Sequence, residues 1–181
     1  MSDKLTPLGE LPSDWSSVEL GEISAFITKG STPTTYGFHW VEDGVPFLRS
    51  ECVSDNGFIA DGLSCISEDA NNYLKRSEVR SGDILITITG NIGRVILYPY
   101  SLSPGNINQH IARVRVVDDD IDIGYIYCVL NTYEYRNYYN RITTGLAYPQ
   151  ISLAQVRETV IPKPPLKIQN RIARIHGSID Q

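Results

Sequence analysis

The sequence predicts an α+β fold: a β-rich domain of mostly antiparallel sheet or open barrel with short helices, followed by the start of a long coiled-coil-forming helix. Short runs rich in isoleucine, valine and threonine alternate with turn-forming residues, which is typical of strands. Near the C-terminus, isoleucines recur at spacings of four, three and four residues, which is typical of a coiled-coil seam. A chain of 181 residues has room for one domain and a short appended element. We therefore predict a domain at 1–163, with an N-terminal arm at 1–22. Residues 164–181 are predicted to be the start of a dimerisation or spacer helix.

Two segments are expected to lack regular structure. Prolines and turn-forming residues interrupt the N-terminal arm, and Trp15 is expected to anchor it to the core. A second segment, 30–44, is rich in glycine, proline, serine, threonine and aromatic residues. It is long for a connection in a compact domain, and such loops tend to be functional or disordered. We therefore expect 30–44 to be a candidate binding loop.

The predicted sheet is built from four strand-like runs and interrupted by one short helix. The runs cover 45–49, 84–89, 94–98 and 111–117. The two central runs are joined by Gly90-Asn91-Ile92-Gly93, whose glycines permit a positive φ and a tight reversal. A helix near 68–76 is indicated by Ser67 as N-cap, two acidic residues in the first turn and two basic residues in the last.

The C-terminal third is predicted to be helical. Apolar spacings at 123–142 mostly keep one helical face, and seven of the eleven tyrosines lie between residues 125 and 148. On a helix, such tyrosines indicate core or partner-face packing more often than ligand stacking. Ser152 and Gln155 form a capping-box pattern that begins a short helix. Prolines then predict an extended connector at 160–165. The isoleucine stripe of the last helix has no obvious cover within the chain, so we expect it to be exposed.

The charge distribution permits a basic face on an acidic protein. The net charge is −5, and residues 1–70 hold twelve acidic residues against three basic ones. Residues 71–117 hold six basic residues against two acidic, and residues 131–181 hold seven against three. These basic segments could form a nucleic-acid surface or ordinary solvated surface. Three cysteines without a CxxC pair, and no apolar stretch of about 18 residues, indicate a reducing cytoplasm and no membrane contact.

The sequence contains no recognisable catalytic, metal or cofactor motif. Neither GxGxxG nor GxxxxGK[ST] occurs, so the usual phosphate-binding loops are absent. His39, His110 and His176 are far apart and have no HExxH pattern. There is also no GxSxG nucleophile motif. We therefore expect no catalytic residues, no metal, no cofactor and no enzymatic activity in this chain.

Five motifs follow one another in a fixed order between residues 11 and 179. They are Leu11-Pro12-Ser13-Asp14-Trp15 followed by Val18-Glu19-Leu20-Gly21-Glu22-Ile23; Gly44-Val45-Pro46-Phe47-Leu48-Arg49; Gly82-Asp83-Ile84-Leu85-Ile86 with Gly90 and Gly93; Asn106-Ile107-Asn108-Gln109-His110-Ile111; and Ile161-Pro162-Lys163-Pro164-Pro165-Leu166 with Gln169, Arg171 and Ile172. Together they resemble the DNA sequence-specificity subunits of type I restriction-modification systems. The chain departs from this family at Ile168, where glutamate is usual. It also holds one target-recognition domain where two are usual, as a natural half-subunit or a truncated product would.

The resemblance implies a non-catalytic subunit of a restriction endonuclease and adenine methyltransferase complex. Such a subunit would read one half of a bipartite double-stranded DNA target and recruit methyltransferase (M) and restriction/translocase (R) subunits. A natural half-subunit would be a homodimer through its C-terminal helix. The alternative is a protein-only assembly module that uses the tyrosine-rich and C-terminal helices. A nuclease or methyltransferase is disfavoured, because Pro164-Pro165 is followed by Leu166 and not by the aromatic residue of an amino-methyltransferase motif.

Loop position and side-chain chemistry give the candidate site residues. Arginine can contact guanine, and asparagine or glutamine adenine, through paired hydrogen bonds. The DNA-binding candidates are Lys29, Ser31, Thr32, Thr34, Tyr36, Arg49, Asn91, Arg94, Asn108, Gln109, Tyr148 and Gln150. Lys75, Arg76 and Arg80, with Lys29, are candidates for phosphate contacts, and Thr143 and Thr144 lie in a loop that could reach the groove. The dimerisation candidates are Ile168, Ile172, Ile175 and Ile179.

Overall fold

The computed structural model describes residues 5–145 and 147–177, which form two four-stranded sheets and two two-stranded ribbons. The strands are β1 (Ser16–Glu19), β2 (Thr28–Lys29), β3 (Trp40–Val41), β4 (Val45–Leu48), β5 (Val53–Ser54), β6 (Gly57–Phe58), β7 (Ser64–Ile66), β8 (Ile84–Thr87), β9 (Val95–Leu97), β10 (Asn106–Ile107), β11 (Ile111–Val114) and β12 (Val160–Lys163). The helices are α1 (Leu20–Ile23), α2 (Glu68–Tyr73), α3 (Ile123–Leu130), α4 (Tyr133–Arg141), α5 (Leu153–Arg157) and α6 (Leu166–Gly177).

The predicted antiparallel character of the sheets is confirmed, with one exception. The first sheet, in the order β2-β11-β8-β9, is antiparallel throughout. The second, in the order β10-β4-β7-β3, contains one parallel pair, β10 with β4. The predicted runs 84–89 and 111–117 are longer than β8 and β11, because their last residues pair elsewhere: Thr89 forms a single bridge with Gln150, and Val116 forms one with Ser24.

The first sheet is buried on both faces, which explains its continuous apolar strands. In β8, Ile84 and Ile86 belong to the main core, which α3, α4 and α5 cover. Leu85, between them, belongs to a second core with residues of β4 and β10. Because successive side chains of a strand point to opposite faces, a strand packed on both sides favours apolar residues at consecutive positions, as at Ile84, Leu85 and Ile86. The hydrophobic run of β8 is therefore a consequence of its central position.

The predicted glycine turn joins β8 to β9. Gly90 has φ +70° and Gly93 has φ +77°, values that side-chain-bearing residues rarely adopt. A Cβ at Gly93 would also lie 3.1 Å from the Tyr139 ring. The turn therefore needs glycine for its backbone conformation and, at Gly93, for its close approach to α4.

The prediction of one continuous helical face at 123–142 is wrong, because this segment forms two helices, α3 and α4. Thr132 between them has extended backbone angles, φ −75° and ψ 158°, and its hydroxyl donates to the Val129 carbonyl oxygen at 2.8 Å. A threonine in this conformation ends one helix and precedes the next. The apolar spacing spans the break because both helices bury residues in the same core.

The tyrosines of α3 and α4 serve mainly the core. Tyr125, Tyr135 and Tyr139 are fully buried, and burial raises the pKa of each phenol. Tyr125 and Tyr135 donate to the carbonyl oxygens of Pro162 and Val160 at 3.0 and 2.6 Å. Burying side chains of this size contributes on the order of 2 kcal/mol each. Tyr125 and Tyr135 bind β12 to the domain, and none of the three buried rings is available as a partner-binding face.

The N-terminal arm is more ordered than the sequence predicts. Its prolines and turn residues end before Ser16, and β1 then pairs antiparallel with β12 from Ser16↔Lys163 to Glu19↔Val160. The expectation that 1–22 lacks regular structure is therefore wrong from residue 16 onward. The same expectation for 30–44 is wrong in part, because a helical turn at Pro33–Tyr36 and strand β3 lie within that segment. The predicted extended connector at 160–165 contains β12, and Pro162 is tolerated there because the ribbon leaves one edge of the strand unpaired.

The isoleucine stripe of α6 is covered in part. Ile172 packs against the main core, Ile168 is half-buried, and the Ile175 side chain is 56% exposed. Ile179, the last of the predicted dimerisation residues, lies outside the described residues. Gln169 fixes the start of the helix, because its buried amide accepts from the Asp122 N–H at 2.9 Å and donates to the Pro164 carbonyl oxygen at 2.8 Å. The expectation that the stripe lacks cover within the chain is therefore wrong for Ile172, which packs against the core on the α3 side of the domain and is partly buried.

The predicted α5 capping box is present: the Gln155 N–H donates to the Ser152 hydroxyl at 3.1 Å, and the Ser152 N–H donates to the Gln155 amide at 2.8 Å. The predicted cap of α2 also forms, with the Ala70 N–H donating to the Ser67 hydroxyl at 3.2 Å. Across 5–145 and 147–177, no helix is long and apolar enough to span a bilayer. The predicted domain boundary at residue 163 stays a prediction.

Candidate nucleic-acid interface

Three of the predicted DNA-binding residues line one cleft of about 350 Å³ at the tip of the β8–β9 turn. We call it the hairpin cleft. Its lining residues are Ser50, Glu51, Thr89, Gly90, Asn91, Arg94, His110 and Tyr148. The predicted members are Asn91, Arg94 and Tyr148, which come from the turn and from the loop after α4. The fold thus brings together side chains that are more than fifty residues apart in sequence.

A chain of hydrogen bonds connects the 30–44 loop to the hairpin cleft. The Thr32 hydroxyl donates to Gln109 Oε1 at 2.7 Å, and Gln109 Nε2 lies 3.1 Å from His110 Nε2. His110 Nδ1 then lies 2.5 Å from the Thr89 hydroxyl. Because an amide nitrogen can only donate, His110 Nε2 accepts and the ring proton lies on Nδ1. These hydrogen bonds hold the His110 ring in one orientation, and the ring centroid lies 6.5 Å from that of Tyr148.

Thr89 and His110 are site residues that the sequence analysis missed. Thr89 was assigned to a strand, and His110 was considered only as a metal ligand. The polar run from Asn106 to His110 was a usable signal, since it places several hydrogen-bonding side chains beside a strand. Only the antiparallel pairing of β8 with β11 brings the two residues into contact.

Arg94 reaches from the hairpin cleft to an ion pair beside it. Arg94 Nη2 lies 3.0 Å from Asp55 Oδ2, and Arg136 Nη2 lies 2.6 Å from Asp55 Oδ1. The hydrogen bond from Arg136, with that from Arg94, holds the pKa of the Asp55 carboxyl below its usual value. Arg136 also donates from Nε to the Gly93 carbonyl oxygen at 2.9 Å. Two arginines from separate elements therefore converge on one carboxylate.

Two of the predicted base-contacting residues take part in internal bonds. Arg49 donates from Nε to the Gly62 carbonyl oxygen at 3.0 Å and from Nη2 to the Ser64 hydroxyl at 2.7 Å, and its guanidinium lies 5.6 Å from the centroid of the Trp40 ring. Asn108 is buried, and its side-chain oxygen accepts from the His110 N–H at 3.1 Å. Both arrangements support the local fold, and DNA contact by either residue stays a prediction.

The remaining DNA-binding candidates in and just before the 30–44 loop lie outside the cleft lining. Lys29 is exposed at the end of β2, and Ser31 is half-buried. Thr34 and Tyr36 are exposed on a single helical turn, where the Tyr36 ring packs on Tyr73 with centroids 5.2 Å apart.

The loop after α4 returns towards the β8–β9 turn. Thr144 and Gln150 exchange backbone hydrogen bonds of 2.9 and 3.0 Å, and Gln150 forms its bridge to Thr89. The Thr143 hydroxyl donates to the Asn140 carbonyl oxygen at 2.9 Å. Gln150 is exposed beside the cleft, so its backbone fixes the loop while its side chain faces solvent.

The phosphate candidates of segment 75–80 surround a buried carboxylate. Lys75 and Arg80 both form ion pairs with Glu78, the second at 2.8 Å. Burial opposes ionisation of Glu78, but hydrogen bonds from Lys75, Arg80 and Asn71 outweigh it and lower the pKa of the carboxyl. The Arg76 guanidinium lies 5.0 Å from the centroid of the Phe26 ring. These cations are partly neutralised or stacked, and none of them lines the hairpin cleft.

The cleft lining is rich in hydrogen-bonding side chains. Among the described residues, no group of three or more histidine, cysteine, aspartate or glutamate side chains could hold a metal ion. The cleft offers an amide, a guanidinium, three hydroxyl groups, two aromatic rings and the Glu51 carboxylate. Side chains of this kind contact base edges and phosphates.

Two solved structures share the fold of this chain. The crystal structure of the HsdS subunit from Thermoanaerobacter tengcongensis superposes with a TM-score of 0.68 at 21% identity, covering 96% of this chain and 39% of that one. A type I restriction-modification S subunit from M. genitalium superposes with a TM-score of 0.63 at 15% identity, covering 97% and 42%. At these identities, the similarity shows the fold.

Curated relatives are also similar over nearly the whole chain. A putative type I restriction enzyme MjaX specificity subunit from Methanocaldococcus jannaschii is 28% identical over 180 residues, covering 99% of this chain and 40% of that protein. The type I restriction enzyme EcoBI specificity subunit from Escherichia coli is 26% identical over 168 residues, covering 91% and 34%. The chain thus spans about two fifths or less of the length of these relatives. The sequence model of the type I restriction modification DNA specificity domain matches residues 12–181, and the chain therefore belongs to that family.

Proposed function

We propose that this chain is a non-catalytic DNA-recognition module that reads one half of a bipartite duplex target for a type I restriction-modification complex. In such a complex, methyl transfer, translocation and cleavage belong to the M and R subunits. The observation that carries the proposal is the hairpin cleft, where side chains from four chain segments converge at one edge of a doubly covered sheet. Reading base edges requires projecting side chains on a rigid support.

Within the cleft, Asn91 and Tyr148 are the best candidates for base contact. Both are exposed, and an asparagine amide matches the donor and acceptor pair that adenine presents in the major groove. The Tyr148 hydroxyl can donate or accept, and its ring can pack on a sugar or base. Gln109 and Thr32 act through the hydrogen-bond chain that orients His110. The loops around the cleft would add further DNA contacts, from Gln150, Thr34 and Tyr36.

Partner binding in this proposal uses the α6 side of the domain. Ile175 is exposed on a helix that the covered Ile172 attaches to the core. A second copy of the helix, or the second recognition domain of a longer subunit, would bury Ile168, Ile175 and Ile179. The same helix would carry M-subunit recruitment. The division of the chain into a recognition domain at 1–163 and a helix from 164 belongs to this proposal.

Duplex binding by the purified chain tests the function. We expect weak binding, because single recognition modules bury roughly 600–1,000 Å² of protein surface. Affinity should fall steadily from about 50 to about 200 mM salt, since phosphate contacts release counterions. Fluorescence anisotropy with a labelled random duplex, with and without the M subunit, measures both properties. Absence of salt-dependent duplex binding in both samples would contradict the proposal.

A further inference from the structure

Asp55 pairs with two arginines that other parts of the fold also hold, Arg94 through its backbone and Arg136 through its guanidinium. The Arg94 backbone N–H donates to the Thr87 hydroxyl at 3.0 Å, and its carbonyl oxygen accepts from the Thr87 N–H at 3.0 Å. Arg136 is anchored through its bond to the Gly93 carbonyl oxygen, and its Cδ would lie 3.3 Å from a Cβ at Gly93. The Arg136 guanidinium and the Arg94 backbone are thus held at the β8–β9 turn independently of the carboxylate, whereas the Arg94 Nε is buried without a hydrogen-bond partner.

Asp55 itself belongs to a minor, exposed element. It lies in the turn between β5 and β6, each of which has two residues. The local bonds of that turn, from the Ser54 hydroxyl to the Gly57 carbonyl oxygen at 2.7 Å and from the Asn56 N–H to the Ser54 hydroxyl at 3.1 Å, do not involve the Asp55 side chain. The side chain is 55% exposed, against 25% for Arg94 and 28% for Arg136. The anion is therefore the most accessible part of the cluster.

The charge of the cluster is unbalanced. Two guanidiniums share one carboxylate, which leaves one positive charge on the three-residue cluster, beside a cleft that Arg94 and the Glu51 carboxylate both line. A carboxylate and a phosphodiester each present two oxygens to guanidinium donors, and arginine binds both groups with similar geometry. Asp55 thus lies where a DNA phosphate next to the cleft would make the same contacts.

We propose that Arg94 and Arg136 form a phosphodiester-binding site beside the hairpin cleft, which Asp55 occupies until DNA displaces it. The proposal rests on the proposed function and deepens it. It assigns Arg94 to the DNA backbone, in place of the guanine contact expected from the sequence. It also gives a role to Arg136, which no sequence motif singles out. Displacement of Asp55 opposes DNA binding and weakens it equally for all sequences.

The variant Asp55→Asn tests the proposal, because asparagine keeps the shape of the side chain and removes its charge. The control is Asp119→Asn, which makes the same charge change at an exposed aspartate elsewhere on the surface. We expect Asp55→Asn to bind several unrelated duplexes at least threefold more tightly than Asp119→Asn. The slope of log K against log salt should stay unchanged, because the phosphate contact is made in the complexes of both variants and only the displacement of Asp55 differs.

Two further variants make the result specific to the arginine pair. In an Arg136→Gln background, Asp55→Asn should give less than half of its effect, because one of the two donors is gone. Arg136→Lys keeps the charge but loses the planar fork, so it should weaken binding uniformly across sequences. Thermal unfolding of each variant checks the fold, and Arg136→Lys supplies the test if Asp55→Asn unfolds.

The outcomes separate this inference from the proposed function. If the wild-type chain binds no duplex even with the M subunit, the proposed function fails. If it binds duplex but Asp55→Asn equals Asp119→Asn or binds more weakly, the function stands and Asp55 does not occupy a phosphate site. Loss of discrimination at a single base position in Arg136→Lys would also overturn the inference, because a phosphate contact carries no sequence information.

Discussion

Asn106 and Asn91 are the same residue type, each follows a glycine, and they lie in opposite environments. Asn106 is fully buried, and its amide donates to Asn71 and to the Leu74 carbonyl oxygen while its oxygen accepts from Ser77 and from the Ile107 N–H. Asn91 is exposed at the tip of the β8–β9 turn and lines the hairpin cleft. The Asn106 side chain makes all of its hydrogen bonds inside the protein, so it supports the scaffold. The Asn91 side chain is exposed at the cleft, so its amide is the one that could bond DNA.

The largest expected effect separates these two asparagines by stability. Asn106→Ala should lower the free energy of unfolding by about 3 kcal/mol, because it leaves buried polar partners unpaired. Asn91→Ala should change it by less than about 0.5 kcal/mol, as surface substitutions usually do. Urea denaturation followed by circular dichroism measures both. Equal losses in the two variants would remove the distinction between scaffold and cleft.

A similar contrast is expected along α6. Ile172→Asp should cost about 2 kcal/mol or more, because it places a charge against the main core. Ile175→Asp should cost less than about 1 kcal/mol but reduce self-association and M-subunit recruitment. Analytical ultracentrifugation at tens of micromolar, with thermal unfolding as the control, distinguishes them. A wild-type monomer, or an Ile175→Asp variant that still dimerises, would show that the exposed side of α6 is not the self-association surface.

A smaller, sequence-specific effect is expected at the cleft. Asn91→Ala should reduce discrimination at one adenine-containing position by about 1–2 kcal/mol, within the range for a paired base contact. Competition binding with single-base variants of the preferred duplex measures this change. Uniform weakening across all variants would reassign Asn91 to the DNA backbone, and no weakening would reassign it to the scaffold.

The smallest effect is expected from Lys29, exposed at the end of β2. Lys29→Ala should weaken all duplexes alike, by about threefold, and reduce the salt slope by about 0.9. Salt titrations on two unrelated duplexes check both numbers, with Lys167→Ala as the control at another exposed lysine, on α6. An unchanged slope would place Lys29 outside the DNA contact surface.

The predictions from sequence succeeded where the determinant is local. The β8–β9 turn follows from its glycines, and the α5 cap follows from Ser152 and Gln155. They failed where the determinant is a distant partner. The pairing of β1 with β12 joins residues 141 or more positions apart, and no periodicity in 16–19 indicates it. The break at Thr132 was hidden because α3 and α4 bury apolar residues in the same core.

The candidate site shows the same limit. Asn91, Arg94 and Tyr148 were predicted from loop position, and the fold brings them to one cleft. Thr89 and His110 were missed because their contact depends on strand register. Whether an arginine is bonded internally, as Arg49 is, depends on the tertiary contacts of Gly62 and Ser64 and cannot be inferred from its neighbours in sequence.

In vitro selection from random duplexes tests the central claim, that the hairpin cleft reads DNA sequence, most directly. It should be run in the presence of the M subunit, with wild type and with an Asn91→Ala, Tyr148→Ala double variant whose folding has been checked by thermal unfolding. We expect the wild type to enrich a short motif, and the double variant to lose preference at one or more positions of that motif while keeping salt-dependent binding. A wild type that enriches no motif, or a double variant that enriches the same motif unchanged, would contradict the claim.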